Sequence, residues 1–172
     1  MVTAQKQKMS ELNNIQSLLH SIPDPEVPVL TINDLGIIRE INIISPDKSV
    51  EVKITPTYSG CPAMDVIAAN IRFTLLKNGY KDVIITKVLS PAWTTDWMSD
   101  YGKQKLKSYG IAPPGKSKAS DPSVLFAEAT KVQCPLCNSY NTKMISEFGS
   151  TACKSMYQCN DCKEPFDHFK CH

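Results

Sequence analysis

Apolar positions recur with helical spacing near the start of the chain. A helix is predicted from Ser10 to Ile22, with Ser10 as its cap, because apolar residues share one face at Leu12, Ile15, Leu18, Leu19 and Ile22. The stretch PDPEVPVL then ends the helix, since three prolines in six residues cannot continue it.

Strand and helix patterns alternate over the next hundred residues. Two strands are predicted, Ile37 to Ile44 and Val50 to Thr57, joined by a turn at SPDKS. A helix from Ala63 to Lys77, a strand from Val83 to Leu89 and a helix beginning near Thr95 follow. The order helix, strand, strand, helix, strand, helix predicts an α+β fold, a small two-layer sandwich.

Composition changes sharply after residue 110. The stretch GIAPPGKSKASDP is rich in Pro, Gly, Ser and Lys, and six of the seven cysteines lie between Cys134 and Cys171. We therefore predict an α+β domain over residues 10–110, a linker over 111–128 and a cysteine-bearing module over 129–172.

The bulk composition narrows the function classes. The 172 residues carry a formal net charge of only +2, which gives no electrostatic reason to expect a nucleic acid or a membrane as the main partner. The first residues carry lysines without a following apolar block, so a secretory signal is not expected there, and no run of eighteen apolar residues is present. A cytoplasmic location is expected, where thiols stay reduced and cysteines serve metal or thiol chemistry.

Two Cys-x-x-Cys pairs lie near the C-terminus. CPLC supplies Cys134 and Cys137, and CNDC supplies Cys159 and Cys162, with 21 residues between the pairs. This spacing lies just beyond the usual range for a four-cysteine zinc ribbon, and a segment of about 40 residues is near the limit for folding without a metal. We predict a structural Zn²⁺ on these four thiolates.

Other metal assignments stay open at these cysteines. An iron–sulfur centre is one alternative, and a ligand set that includes other nearby residues is another: Cys153, His168, Cys171 or His172. Cys153 is also typical of a small buried residue on a ribbon strand, whereas Cys171 and His172 can bind a second metal. Nucleic-acid binding is a weak alternative, because the ribbon lacks a basic and aromatic stripe.

Cys61 lies at the corner between a predicted strand and the predicted helix from Ala63. Free N–H groups at a helix start favour a thiolate, which would make Cys61 nucleophilic or ready to bind iron. Gly60 before it permits close approach of a ligand. A buried structural cysteine is the competing interpretation, and no histidine lies near in sequence to serve as a base. The residues alone leave both open.

Two further groups of residues have a structural and a functional interpretation. Asp24 and Glu26 flank a proline, which is typical of a solvated turn, but they can also serve as acidic ligands beside Cys61 if the fold brings them together. Trp93 and Trp97 are typical of a core or of a partner-facing aromatic pair.

Several long motifs together resemble a known family. DPEVPVLTINDLGIIREI, ITPTYSGCPAMDVI, LSPAWTTDWMS, GIAPP and the ribbon ending STACKSMYQCNDCKEPFDHFKCH closely resemble the D subunits of bacterial phenylacetyl-CoA epoxidase (ring 1,2-epoxidase) systems. The likeness runs from about Leu18 to His172. The N-terminal part also resembles a wider domain family shared with iron–sulfur cluster assembly and targeting factors, through Asp24, Pro25, Glu26 and Cys61.

The resemblance implies an accessory role in phenylacetate catabolism rather than catalysis. The catalytic subunit of such systems uses a di-iron site, and the reductase subunit uses a flavin and a [2Fe–2S] cluster. The implied function is maturation of one of these subunits: Cys61 holds iron or a cluster transiently, alone or across a homodimer. Asp24 and Glu26 would assist, and the ribbon with the segment from Trp93 to Trp97 would contact the client.

Two rival functions remain. A binding or regulatory subunit of the oxygenase complex would use the ribbon and tryptophans for contact and transfer no metal. An enzyme with Cys61 as nucleophile would need a base, which the neighbouring sequence does not supply. The chain has neither the Glu-x-x-His pairs of a di-iron bundle nor a Gly-rich dinucleotide loop, in keeping with an accessory protein.

Overall fold

Helices and strands follow the predicted order along the chain. A computed structural model describes residues 2–45, 48–115 and 131–170. The chain divides into two units, Met1–Trp93 and Thr94–His172. The first unit contains α1 (Val2–His20), β1 (Ile38–Ser45), β2 (Ser49–Ile54), α2 (Ala63–Lys77) and β3 (Asp82–Lys87).

The sheet of the first unit has the order β1-β2-β3. β2 pairs antiparallel with β1 and parallel with β3, to which α2 forms the crossover. In β2, Val50, Val52 and Ile54 are fully buried and alternate with half-buried polar residues, as the sequence predicted. This central strand therefore presents its apolar face to the core.

Two helices complete the α+β core of this unit. The bounds of α2 match the predicted helix at both ends, and its buried positions include Met64, Ile67, Ile71 and Leu75. On α1, Ile15 and Leu19 are fully buried. The predicted α+β class is confirmed, because apolar stripes at helical spacing lie in one core with the alternating strand residues.

The second unit consists of a short helical segment and a three-stranded antiparallel sheet. A 3₁₀ turn (Thr95–Trp97) precedes α3 (Asp100–Ser108), and the sheet has the order β4-β5-β6. Its strands are β4 (Thr142–Ser146), β5 (Lys154–Cys159) and β6 (Pro165–Phe169). Side-chain oxygens of Thr94 and Ser99 cap the 3₁₀ turn and α3.

The observed boundary between the units falls earlier than the predicted one at residue 110. The predicted linker also begins with residues that pair in the sheet: the Ala112 N–H donates to the Asp167 carbonyl at 2.8 Å, and the Phe169 N–H donates to the Ala112 carbonyl at 3.0 Å. Residues 116–128 of the predicted linker lie outside the described residues. Within the described chain, no helix is both long and apolar enough to cross a membrane.

Candidate functional site

The four cysteines of the two Cys-x-x-Cys pairs converge in the second unit. The Sγ atoms of Cys134, Cys137, Cys159 and Cys162 all lie within 4.8 Å of one another. Two of the separations are 3.8 Å, from Cys134 to Cys162, and 3.5 Å, from Cys137 to Cys159. A tetrahedral Zn²⁺ with Zn–S bonds of about 2.3 Å requires S···S separations of about 3.8 Å. The donor set and its geometry fit one metal ion.

Each pair lies in a turn that directs backbone N–H groups at sulfur. The residue after the second cysteine has positive φ in both turns: Asn138 at 63° and Lys163 at 68°. The N–H groups of Ser139, Cys162 and Glu164 donate to the sulfurs of Cys137, Cys159 and Cys162, respectively. The bonds from the Cys162 and Asp161 N–H groups, together with the neighbouring cysteines, lower the pKa of Cys159 to about 7. At Cys137 and Cys162 the corresponding N–H bonds are outweighed by the neighbouring cysteines and burial, which raise the pKa.

A polar network joins the two turns. Asp161, from the second pair, accepts hydrogen bonds from the Ser139 hydroxyl and from the Asn141 side chain, the latter at 2.7 Å. The Asn160 amide donates to the Asn141 side chain at 2.9 Å. Sequence reasoning missed this network, because its members are ordinary turn residues about twenty positions apart. The network fixes one turn against the other, so the four sulfurs share one centre.

Apolar packing surrounds the buried pair of sulfurs. Cys134 and Cys159 are fully buried in a cluster with Ala112, Val132 and Phe166, against which Tyr157 also packs. This shell excludes water from one side of the centre, which strengthens metal–thiolate bonds. The arrangement is that of a structural site, since four protein ligands leave no open position.

Two other candidate ligands of the ribbon, Cys153 and His168, are not part of this centre. Cys153 is buried, and its sulfur lies 3.0 Å from the Thr151 hydroxyl. His168 has its Nδ1 3.2 Å from the Ser155 hydroxyl. Among the described residues, only the four cysteines form a group of three or more possible ligands. The predicted ligands Cys171 and His172 lie outside the described residues.

Cys61 lies in the first unit, at the corner between β2 and α2. Gly60 precedes it with φ of 85°, a left-handed conformation that other residues rarely adopt. The Cys61 N–H donates to the Tyr58 carbonyl at 3.3 Å, and Pro62 occupies the cap position of α2 without a side-chain bond. The Ala63 N–H and the Tyr58 side chain both hydrogen-bond to the Cys61 sulfur. The sulfur is half-buried at the first turn of the helix.

The thiolate expected at this helix start is not favoured by the surroundings. Burial raises the pKa of Cys61, and the carboxylates of Glu26 and Asp24 raise it further by repelling a thiolate. The hydrogen bonds from Ala63 and Tyr58 offset these effects only in part. The predicted lowered pKa is therefore wrong, because burial and two acidic neighbours outweigh the helix terminus.

The fold brings Asp24 and Glu26 within electrostatic reach of Cys61, but Asp24 also has a structural role. Asp24 is buried, and its Oδ1 accepts the N–H groups of Glu26 at 2.9 Å and Val27 at 2.7 Å. The Asp24 N–H in turn donates to the Leu30 carbonyl. Asp24 thus holds the turn that carries the half-buried Glu26 side chain.

The two tryptophans have different surroundings. Trp93 is only 4% exposed, and its indole N–H donates to the Leu35 carbonyl at 2.8 Å in the first unit. This burial agrees with the core interpretation of Trp93, and its role as a partner contact stays a prediction. Trp97, in the 3₁₀ turn of the second unit, is half-buried.

Two family profiles match the two parts of the chain. Residues 12–79 match the family described as "Iron-sulfur cluster assembly protein", a range that includes Asp24, Glu26 and Cys61. Residues 118–170 match the family described as "PaaD zinc beta ribbon domain", which includes the four clustered cysteines.

Relatives of known name cover either the whole chain or its first half. A protein of Escherichia coli K12, named as the D subunit of 1,2-phenylacetyl-CoA epoxidase, is 46% identical over 161 residues, which are 94% of this chain and 93% of that protein. An Fe-S protein maturation auxiliary factor of Porphyromonas gingivalis is 35% identical over 94 residues, 54% of this chain and 88% of that protein. A DUF59 domain structure from Bacillus anthracis covers 55% of this chain and 89% of its own, with a TM-score of 0.51 and 24% identity.

Proposed function

Because the chain belongs to the family of phenylacetyl-CoA epoxidase D subunits, we propose that it is an accessory maturation factor of such an epoxidase. In this proposal it delivers iron or an iron–sulfur cluster to the catalytic or the reductase subunit, and Cys61 binds the cargo. The observation that supports the proposal is the arrangement at Cys61. Its half-buried thiol lies close to two hydrogen-bond donors and a carboxylate. The protein would act in the cytoplasm, where the thiol stays reduced.

The donor set at this corner suits a labile cargo. An iron–sulfur cluster normally takes four protein ligands, and Cys61 supplies one thiolate. Glu26 can supply a carboxylate oxygen, a harder ligand that iron accepts. A cluster held by so few donors exchanges readily with a client that offers more thiolates. A second copy of the chain would double the donors to four, whereas a single copy leaves positions open for transfer.

The raised pKa of Cys61 favours release of the cargo. In the metal-free protein the sulfur is mainly a neutral thiol at neutral pH, because burial and the charges of Glu26 and Asp24 disfavour the thiolate. Binding of iron displaces the proton, and departure of iron returns it. Affinity for the cargo is thereby lower than a preformed thiolate would give.

The ribbon serves as a structural module in this proposal. Cys134, Cys137, Cys159 and Cys162 would hold Zn²⁺, whose binding contributes roughly 10–16 kcal/mol of apparent free energy in small zinc modules. Zinc has no redox chemistry, so it stabilises the fold without competing with the transfer at Cys61. The ribbon and the Trp97 segment would contact the client subunit.

Reconstitution of the zinc-loaded protein tests the role of Cys61. The protein is incubated anaerobically with ferrous iron and sulfide, desalted, and mixed with the iron-free reductase subunit. We expect Cys61→Ser to lose most of the bound iron and of the transfer, and the control Cys153→Ala, which removes a buried thiol outside both sites, to keep both.

Full binding and transfer by Cys61→Ser would refute the carrier role. If that variant also co-purified with the catalytic subunit as well as the parent does, the rival function, a binding subunit without metal transfer, would explain the family membership better.

A further inference from the structure

The second unit contains a cavity of about 520 Å³ that neither Cys61 nor the four-cysteine centre uses. Its volume falls within the range of about 300–1,000 Å³ that is typical of small-molecule sites. Every described residue that lines it belongs to the unit Thr94–His172. This inference is independent of the function proposed above.

The inner wall of the cavity carries fixed polar groups. Ser155 on β5 is only 3% exposed, and its hydroxyl lies 3.2 Å from Nδ1 of His168 on β6. Tyr157 contacts the same imidazole edge to face, with ring centroids 5.4 Å apart. Burial lowers the pKa of His168 to about 4, so the ring is neutral at neutral pH. The wall therefore offers oriented hydrogen-bonding groups and no charge of its own.

The charged residues around the cavity are mostly basic. Among the described residues, three lysines line it, Lys107, Lys131 and Lys170, against one acidic residue, Glu147. Lys170 is held in place by a 2.9 Å bond to the Glu147 main-chain carbonyl and by the ring of Phe148, 4.6 Å away. These contacts involve neutral acceptors, so they orient the ammonium group without neutralising it. An anion that enters the cavity is attracted.

The remaining lining is apolar and aromatic. Tyr140, Met144 and Val132 line the cavity together with Pro135. Tyr140 and Met144 are also 58% and 51% exposed. A single exposed side chain of this kind is common on a monomeric protein. Here they share one concavity with three lysines, an arrangement that suits an amphipathic ligand.

We propose that this cavity binds a small organic anion with a planar ring. The ring packs against Tyr140, Met144 and Tyr157, and the anionic group lies toward Lys131 and Lys170 with the Ser155 hydroxyl as a hydrogen-bond partner. A carboxylate and a phosphate monoester share this chemistry, and the test separates them.

Titration of the ¹⁵N-labelled, zinc-loaded full chain tests the proposal. Phenyl phosphate and benzoate are the two probes, and inorganic phosphate and benzyl alcohol supply the anion and the ring alone. We expect saturable amide shifts at Gln133, Ser155 and Tyr157 with at least one aromatic anion. Inorganic phosphate and benzyl alcohol should each bind at least about tenfold more weakly than the aromatic anion, because each makes only part of the contacts. The tighter of the two aromatic anions identifies the anionic group.

Variants decide whether the contacts are those of the cavity. Lys131→Gln removes one lining charge and should weaken binding about fivefold, as expected for one partly exposed charge pair. Met144→Glu places a negative charge in the wall and should abolish binding. The control Lys143→Gln, on the same strand but outside the cavity, should bind like the parent. Absence of saturable shifts, equal loss in the control, or binding of inorganic phosphate as tight as that of phenyl phosphate would overturn the proposal.

Discussion

Substitutions of Asp24 distinguish most directly whether its carboxylate stabilises the local turn or serves as a ligand beside Cys61. Its Oδ1 accepts two main-chain N–H groups, at 2.9 and 2.7 Å, and the side chain is 6% exposed. Hydrogen bonds to a charged acceptor contribute about 1.5–3 kcal/mol each, less where water can replace the partner. The Val27 N–H is buried, whereas Glu26 is half-buried and can bind water.

Asp24→Ala should therefore lower the free energy of unfolding of the first unit by about 3 kcal/mol. Asp24→Asn keeps an oxygen acceptor and should cost about 1–2 kcal/mol, since the charge is lost but the bonds are not. The control Asp65→Ala removes an exposed carboxylate whose ion pair with Lys87 is at the surface, and it should cost less than about 1 kcal/mol.

Urea unfolding followed by the fluorescence of the buried Trp93, in a Trp97→Phe background, measures these differences. For a slope of about 1–2 kcal/mol per molar urea, the midpoint of Asp24→Ala should fall by about 2 M. If Asp24→Ala unfolds within about 0.5 kcal/mol of its parent but no longer binds iron, the carboxylate is a ligand and the structural reasoning is wrong.

Three further substitutions test other contacts. Glu26→Gln removes a charge that raises the pKa of Cys61, so alkylation of Cys61 by iodoacetamide at neutral pH should become faster; an unchanged rate would contradict the electrostatic argument. Cys159→Ser should abolish zinc binding and the amide dispersion of β4 to β6, and a folded, zinc-free ribbon would show that the metal is dispensable. Trp93→Phe leaves the Leu35 carbonyl without the indole donor and should cost about 1–3 kcal/mol in urea unfolding, unlike the half-buried Trp97→Phe.

The elements that sequence predicted well are those fixed by local patterns. The helix Ala63–Lys77 matches at both ends, because its apolar spacing is regular, Pro62 precedes it and Gly79 adopts positive φ just after it. The four-cysteine centre could also be predicted from the sequence, because two Cys-x-x-Cys pairs specify most of a tetrahedral site by themselves.

The features that sequence missed depend on residues far apart in the chain. Composition indicated a linker from residue 111, but Ala112 pairs with β6 more than fifty positions later. The position of Cys61 at a helix start suggested a lowered pKa, but burial raises it, and Glu26 and Asp24, from a turn more than thirty positions upstream, raise it further. The indole N–H of Trp93 likewise donates to a carbonyl far away in sequence, that of Leu35. Such contacts between distant residues cannot be predicted from local sequence patterns.

The central claim is that Cys61 supplies metal to an epoxidase subunit. The most direct test is the iron and acid-labile sulfide content, per subunit, of the catalytic and reductase components produced in cells with this protein, with Cys61→Ser, or without it. We predict that one component loses iron equally in the last two cases, and that sulfide is lost with the iron if the client is the cluster-bearing one. Full metal content in both components with Cys61→Ser would contradict the claim.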